Sequence, residues 1–532
     1  MMGIAMQRAW MSRILLIIAA AFLFYLSFPN CFYLPGFGAL AWGFAVPLMA
    51  ALQGCSLKDR LRIGSLFGMV AYALLLNWLA PLSFAGFLLL AGVFALQPIG
   101  FGLLYEPFSP VPFGRRQDDR RFSLRQLWPL QTILYPACLW VATEYIRSLL
   151  LGGFSWTLGY SQGFFPVNLQ WTQWGGSYAV SFVLMAVNVC LYRVVSGLPG
   201  RRVFAGAAVV TVMLTTLYGF VQLFSPAALA PCPEKPVRIV SIQPSIDPYT
   251  KWRKELLDEV IDQHIYFTRE GVTDSRADLV IWPETAIPDD FLKDWERRER
   301  ITRMSLQLNV PLLVGAALQE DGRYFNAAVL LNKRGVVLDL YRKRHLIPFS
   351  EYFPFPRPQV GWAARFFRFS REFFAPGQSP GVFSLPAAGS PQRKFGVAIC
   401  SENLYPGLWR IFEEREGVFA AVLINDAWFS ARAALLLHAQ AAAMRAVENR
   451  LSIVQATNSG FTFAVDPFGR IAGFPENLAR LQSPGVHRLT VCPQRATTFY
   501  EQFGDIFAVL CVAFVIMKWT IFLVRRKLFP IG

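Results

Sequence analysis

Three residues, an acid, an amine and a thiol, have the types and settings to do nucleophilic chemistry together. Glu284 follows the apolar run Leu279–Trp282 in Ile281-Trp282-Pro283-Glu284-Thr285. Lys343 stands in Tyr341-Arg342-Lys343-Arg344-His345-Leu346-Ile347-Pro348-Phe349. Cys400 closes Gly396-Val397-Ala398-Ile399-Cys400 and precedes Ser401-Glu402-Asn403. A carboxylate at the end of an apolar strand is poorly solvated, and desolvation raises its pKa into the range of a usable general base. A thiol is nucleophilic as the thiolate, and a neighbouring base and cation activate it. Taken singly, each has an ordinary reading: Glu284 a helix-entry or surface residue, Lys343 part of a solvated basic patch, Cys400 a buried structural thiol. The tract Pro348-Phe349-Ser350-Glu351-Tyr352-Phe353-Pro354 adds weight to Lys343, because it brings a second carboxylate in a proline-stiffened aromatic loop.

Such residues need strand ends to hold them, and the sequence from about 232 to 500 supplies them. Val237–Ile242 runs into Gln243, Phe395–Ile399 into Cys400, Val422–Ile424 into Asn425 and Ile453–Val454 toward Thr457-Asn458. Helical stretches at 251–270, 291–308 and 432–449 alternate with these runs. Buried strands alternating with helices predict an α/β sandwich, with the chemistry collected at the strand ends.

The rest of the chain reads as membrane. Of 532 residues 54% are hydrophobic and 16% charged, against roughly 25% charged in ordinary domains. The net charge of +16 would suit nucleic acid, but no stacked-aromatic RNA motif, zinc finger or basic helix accompanies it. Spans need about 20 apolar residues; runs at 13–29, 35–53, 63–80, 82–106, 128–147, 176–194, 203–224 and 506–524 predict eight. The first run lacks a small-x-small cleavage site and reads as a retained anchor. Lys58, Arg60 and Arg62, then Arg115, Arg116, Arg120, Arg121 and Arg125, then Arg201 and Arg202 fall in alternate loops, while 30–34, 81 and 148–175 hold no Lys or Arg. The positive-inside rule then predicts cytoplasmic termini and an outer domain. The expected layout is a seven-helix bundle over 1–228, an extracytoplasmic catalytic domain over 229–503, and an eighth helix with a basic tail over 504–532.

Eight cysteines occur without metal-type spacing, and His264, His345, His438 and His487 are too scattered to suggest a metal site. Cys232 and Cys492 bracket the polar domain outside the cytoplasm, where disulfides persist, and domain ends tend to lie close. Their Cα atoms are expected within about 7 Å. Residues 349–374 are rich in Phe and Arg. Phe366, Phe367 and Phe369 are expected to face the bilayer or line the site entrance, against the plainer alternative that they pack on the domain's own core.

Glu284, Lys343 and Cys400 in that order resemble the Glu–Lys–Cys triad of the nitrilase superfamily. More narrowly, the whole chain is similar to the apolipoprotein N-acyltransferase family, through Trp-Pro-Glu, Tyr-x-Lys-x-His-Leu-x-Pro-Phe-x-Glu-Tyr-x-Pro, Ile-Cys-x-Glu, Asn425-Asp426-x-Trp428-Phe429, Met444-Arg445-Ala446-x-Glu448, Ala456-Thr457-Asn458-x-Gly460 and Asp466-Pro467-x-Gly469-Arg470. Gln243-Pro244 with Trp252 resembles the family's opening segment. Ser401 and Ser350 depart from the family pattern, as do the stretch after Phe429 and Arg450-Leu451-Ser452. The resemblance implies an αββα nitrilase-like domain on an eight-helix bundle in a bacterial inner membrane. It implies Glu284 as general base, Lys343 as oxyanion stabiliser, Cys400 as nucleophile, Glu351 and Glu402 as supporting acids, and Asn326, Trp252 and Trp428 as pocket residues. The implied donor is a membrane phospholipid and the acceptor a diacylated apolipoprotein, handled by a monomer without metal or cofactor. Rival readings are a membrane-tethered nitrilase or amidase using water, a non-catalytic scaffold, and a Cys–His hydrolase pairing Cys400 with His345.

Overall fold

The computed structural model describes residues 2–105, 128–273, 276–348, 350–352, 374–386, 392–429, 431–473, 480–494 and 496–528. Phe366, Phe367 and Phe369 lie outside them. The chain forms two compact units: Met1–Asn77, Phe87–Gln222 and Phe503–Gly532 make one, and Trp78–Gly86 with Leu223–Gln502 the other.

The first unit is helical: α1 Met2–Leu26, α2 Ala45–Leu52, α3 Leu57–Leu76, α4 Phe84–Tyr105, α5 Trp128–Leu150, α6 Thr172–Val195 and α7 Arg201–Leu223. Each predicted run before the polar domain has a helix, yet they differ in reach. Five described segments are long and apolar enough to cross a bilayer: Leu57–Leu79, Phe84–Tyr105, Thr172–Val195, Arg201–Leu223 and Ile506–Val524. The run expected as one span at 35–53 is instead broken into a 3-10 turn, Gly38–Trp42, and the eight-residue α2. At about 1.5 Å per residue α2 is roughly 12 Å long, well short of a bilayer core of about 30 Å. Glycines at 36, 38 and 43 disfavour a continuous helix. Asn188 satisfies the backbone at the break, accepting from Ala45 N and donating to Ala41 O.

α5 carries charge inside this unit. Arg147 is fully buried and donates to the Tyr72 hydroxyl and to Gln97 Oε1, at 2.7 and 2.9 Å, and to the Trp156 carbonyl. One turn earlier Glu144 accepts from Trp140 Nε1 and Leu158 N, at 2.9 and 2.7 Å. These bonds tie the irregular stretch around residues 156–158 to α5, which is how non-helical backbone survives in such a setting.

The second unit is an αββα sandwich, as predicted. One six-stranded sheet has the order β12-β1-β2-β3-β4-β5 and the other β11-β10-β9-β8-β7-β6. The first uses β1 Val237–Gln243, β2 Leu279–Ile287, β3 Leu312–Glu320, β4 Arg323–Leu331, β5 Val337–Arg342 and β12 Gly485–Val491. The second uses β6 Val382–Leu385, β7 Arg393–Ile399, β8 Phe419–Ile424, β9 Ser452–Thr457, β10 Phe463–Val465 and β11 Ile471–Ala472. Parallel strands β1-β2-β3 and β7-β8-β9 form the two centres. Alternate residues meet between the sheets, where Ile239, Ile281 and Leu313 pack with Val397, Leu423 and Val454 in one core. The other face of the first sheet buries Val240, Val280 and Leu312 against Ile261 of α8 (Leu257–Thr273) and Ile301 of α9 (Trp295–Leu308). α10 (Pro406–Glu414) and α11 (Arg432–Glu448) follow β7 and β8, and the chain closes with α12 (Ile506–Leu528). Cys232 and Cys492 are bonded with their Cα atoms 5.5 Å apart, as their positions predicted.

Candidate active site

The site forms where strands end. β2 does not run smoothly past Trp282: its register against β3 shifts between Trp282 and Ile287, and Thr285 takes φ +45°. A side chain at Gly315 on β3 would place its Cβ 2.1 Å from the Pro283 carbonyl oxygen, so only glycine admits this bulge. The bulge carries Glu284. Its Oε1 accepts from Asn326 Nδ2 on β4 at 2.7 Å and lies 3.6 Å from Lys343 Nζ.

Lys343 follows β5 directly, with its main-chain N donating to the Asn326 carbonyl. Its ammonium is fully buried and donates to Glu351 Oε1 at 2.8 Å; Asn326 Nδ2 reaches the same oxygen at 3.1 Å. Glu351 Oε2 accepts from Ile347 N, which pins the turn after Lys343. Burial alone would pull the lysine's pKa down, but the charges of Glu351, Cys400 and Glu284 outweigh it and hold Lys343 above the ordinary lysine range. It is therefore a fixed cation.

Cys400 begins a 3-10 turn, Cys400–Leu404, immediately after β7, with φ +54°. A non-glycine residue in the left-handed region costs about 1–3 kcal/mol and persists only where its surroundings impose it. Glu402 is one such constraint, accepting from Ile399 N, Arg344 N, His345 N and the Tyr341 hydroxyl. One buried carboxylate thus ties the turn after β7 to the segment after β5. Burial pushes the Cys400 thiol well above its usual range; Glu284 reinforces this and Lys343 opposes it. At rest the group is a thiol and needs a base.

The structure therefore brings Glu284, Lys343, Asn326 and Glu351 into one bonded cluster, whose charges act on Cys400, with Glu402 bracing the turn. Trp252 and Trp428 differ: they are 38% and 39% exposed, and their ring partners are Phe374 and Tyr249. Neither has a described contact with the cluster. His345 stacks on Tyr405 at 4.1 Å, and among the described residues it makes no hydrogen bond to Cys400.

Two residues had no role assigned from the sequence. Lys251, fully buried, donates Nζ to the Glu284 main-chain oxygen at 2.9 Å. Asp426, also fully buried, has no hydrogen-bond partner on either carboxyl oxygen among the described residues. Asp426 lay within a recognised motif and Lys251 beside Trp252, but nothing in the spacing said that either side chain turns inward.

Comparison with known proteins follows the same division. Residues 238–481 match the Carbon-nitrogen hydrolase family, and residues 20–190 match the Apolipoprotein N-acyltransferase N-terminal domain family. Apolipoprotein N-acyltransferase of Geobacter metallireducens is 30% identical over 514 residues, covering 94% of this chain and 93% of its own. That of Chlorobaculum tepidum is 27% identical over 526 residues, covering 92% of each. Among solved structures, Saccharomyces cerevisiae Nit3, of the nitrilase superfamily, matches 50% of this chain and 93% of its own, at 16% identity and a TM-score of 0.36. With its α/β unit and its helical unit both matched, and a relative aligned along nearly its whole length, the chain belongs to the apolipoprotein N-acyltransferase family.

Proposed function

We propose that this protein moves an acyl chain from a membrane phospholipid to the α-amine of the N-terminal diacylglyceryl-cysteine of an apolipoprotein, through a thioester on Cys400. The observation that carries the reading is the buried Glu284–Asn326–Lys343–Glu351 cluster acting on a thiol at a constrained strand end.

Glu284 takes the thiol proton as Cys400 attacks the ester carbonyl. Lys343, held by Glu351, faces the developing oxyanion, a role in which one donor is typically worth about 3 kcal/mol. Collapse of the intermediate returns the proton to the departing lysophospholipid oxygen and leaves the acyl-enzyme. The acceptor amine then attacks the thioester, and the thiol is regenerated. Glu402 and Tyr341 keep the nucleophile's turn in place.

The surroundings follow from the substrates. Extracting an acyl chain into water costs about 0.8 kcal/mol per CH₂, so a bundle over 1–228 and a final helix over 504–532 would keep the reaction at the bilayer. In this reading there are eight membrane segments, the broken 35–53 run among them. Both termini lie in the cytoplasm of a bacterial inner membrane, residues 229–503 lie outside, and the protein acts as a monomer. Trp252 and Trp428, being half-exposed, suit contact with an arriving substrate better than support of the cluster.

The test is mass spectrometry of a synthetic diacylated lipopeptide incubated with the purified protein and phospholipid vesicles. The expected product is a triacylated peptide, absent with Cys400→Ala. Free fatty acid without acylated peptide would favour a hydrolase using water.

A further inference from the structure

Four carboxyl groups act on Cys400 or brace its turn, and three have partners of their own. Glu284 accepts from Asn326 and faces Lys343; Glu351 accepts from Lys343, Asn326 and Ile347 N; Glu402 accepts four donors. Asp426 alone among these four has neither donor nor counter-ion among the described residues, though it is completely buried. A buried polar group without a partner costs about 1–3 kcal/mol and calls for an explanation.

Strand register shows where it sits. Ile399 on β7 pairs with Leu423 on β8, and Ile424 pairs with Thr457 on β9. Asp426 therefore lies just past the end of β8, between the turn that begins at Cys400 and the turn after β9 that contains Gly460. Gly460 has φ +145°, and a Cβ there would lie 3.0 Å from Asp426 Oδ2. Any other residue would crowd that face of the carboxyl. Asp426 lies near enough that its ionised form would act on the Cys400 thiol, but burial, with Glu284 nearby, raises its pKa well above the usual carboxylate range, so it rests protonated and uncharged.

We propose that Asp426 is the receiving site for the acceptor's α-amine in the second half-reaction. The inference rests on the acyl-transfer reading above. The phospholipid step brings only ester and alcohol oxygens to the thiol. The second step brings an amine, cationic in water, beside the fixed cation Lys343. Entry there costs one proton to solvent, from the ammonium or from the Asp426 acid. The proton that remains is shared between Asp426 and the nitrogen, since a carboxylic acid against an amine and a carboxylate against an ammonium differ only in its position. The amine lone pair attacks the thioester carbon and the C–N bond forms. The nitrogen proton passes to Glu284 and on to sulfur as the C–S bond breaks. The thiol and both carboxyls return to their starting states.

The test separates the half-reactions. Full-length enzyme is charged from phosphatidylethanolamine–phosphatidylglycerol vesicles carrying a labelled acyl chain, then chased with diacylglyceryl-cysteine lipopeptide or with hydroxylamine. Asp426→Asn is expected to form the thioester at close to the wild-type rate and to release it to hydroxylamine normally. Its transfer to the lipopeptide should fall by about 100-fold, as for a misplaced reactant. Transfer at the wild-type rate would overturn the proposal. So would failure of Asp426→Asn to form the thioester, or an equal slowing of both chases, since each would place Asp426 in the first step or in the fold. Failure of the wild-type enzyme to transfer to lipopeptide would count against acyl transfer itself.

Discussion

At the residue scale, ionisation is set by who shares the burial. Lys343 and Lys251 are both fully buried amines near Glu284, yet their pKa values move in opposite directions. Lys343 has the Glu351 carboxylate at 2.8 Å and stays charged. Lys251 has a carbonyl as its hydrogen-bond partner, and burial pulls it down to about 7 despite the attraction of Glu284. The unfolded chain would hold that proton up to near the ordinary 10.5, so between pH 7 and 10.5 it binds more protons than the folded chain. Stability contributed at this site is therefore lowest below pH 7 and rises as pH climbs through that window. Lys251→Met should flatten the rise, read as melting temperature against pH beside the wild type; an unchanged slope would refute the assignment. Lys251→Gln, which keeps a donor for the Glu284 carbonyl, should retain more acylation activity than Lys251→Met. Glu284 and Cys400 could be picked out in the sequence because each stands at an apolar-to-polar boundary, and Lys343 because a proline-stiffened aromatic tract with a second carboxylate follows it; their roles came from the family resemblance. The pairing of Asn326 with two acids could not, because it depends on a β4–β5 register that leaves no trace in composition. Inward-turned Lys251 was hidden for a plainer reason: a lysine in the polar run Thr250-Lys251-Trp252-Arg253-Lys254 reads as surface.

At the element scale, small residues let the functional strands depart from regularity. The β2 bulge that carries Glu284 exists because Gly315 on β3 has no side chain. Gly315→Ala would set a Cβ against backbone that cannot rotate away. Acyl-enzyme formation is expected to drop by about 100-fold through displacement of Glu284, with overexpressed protein still carrying its sheet by circular dichroism. Wild-type acylation kinetics in that variant would show that the bulge is not needed. The alternation of apolar strands with helices made the sandwich legible in advance. The broken helix at 35–53 was not, because its apolar residues satisfy a hydropathy reading while its glycines and Asn188 decide the backbone. Such breaks depend on a distant hydrogen-bond partner, here 143 residues from Ala45.

At the scale of the whole molecule, the α/β unit is inserted between helices and stapled where it begins and ends. The Cys232–Cys492 bond closes a loop of 260 residues, and losing such a bond typically costs about 2–5 kcal/mol. Cys232→Ser with Cys492→Ser should lower the melting temperature without abolishing acylation. The bond also tests sidedness: in intact cells both thiols should resist alkylation until reduced, whereas two freely alkylated cysteines would place residues 229–503 in the reducing cytoplasm. The central claim is the acyl-enzyme itself, and it is best tested by mapping the labelled acyl group after incubating the protein with phospholipid and no acceptor. The account predicts one hydroxylamine-labile acyl group on the peptide containing Cys400, lost in Cys400→Ala and failing to form in Glu284→Gln. An acyl group on another residue, or one that persists in Cys400→Ala, would contradict it.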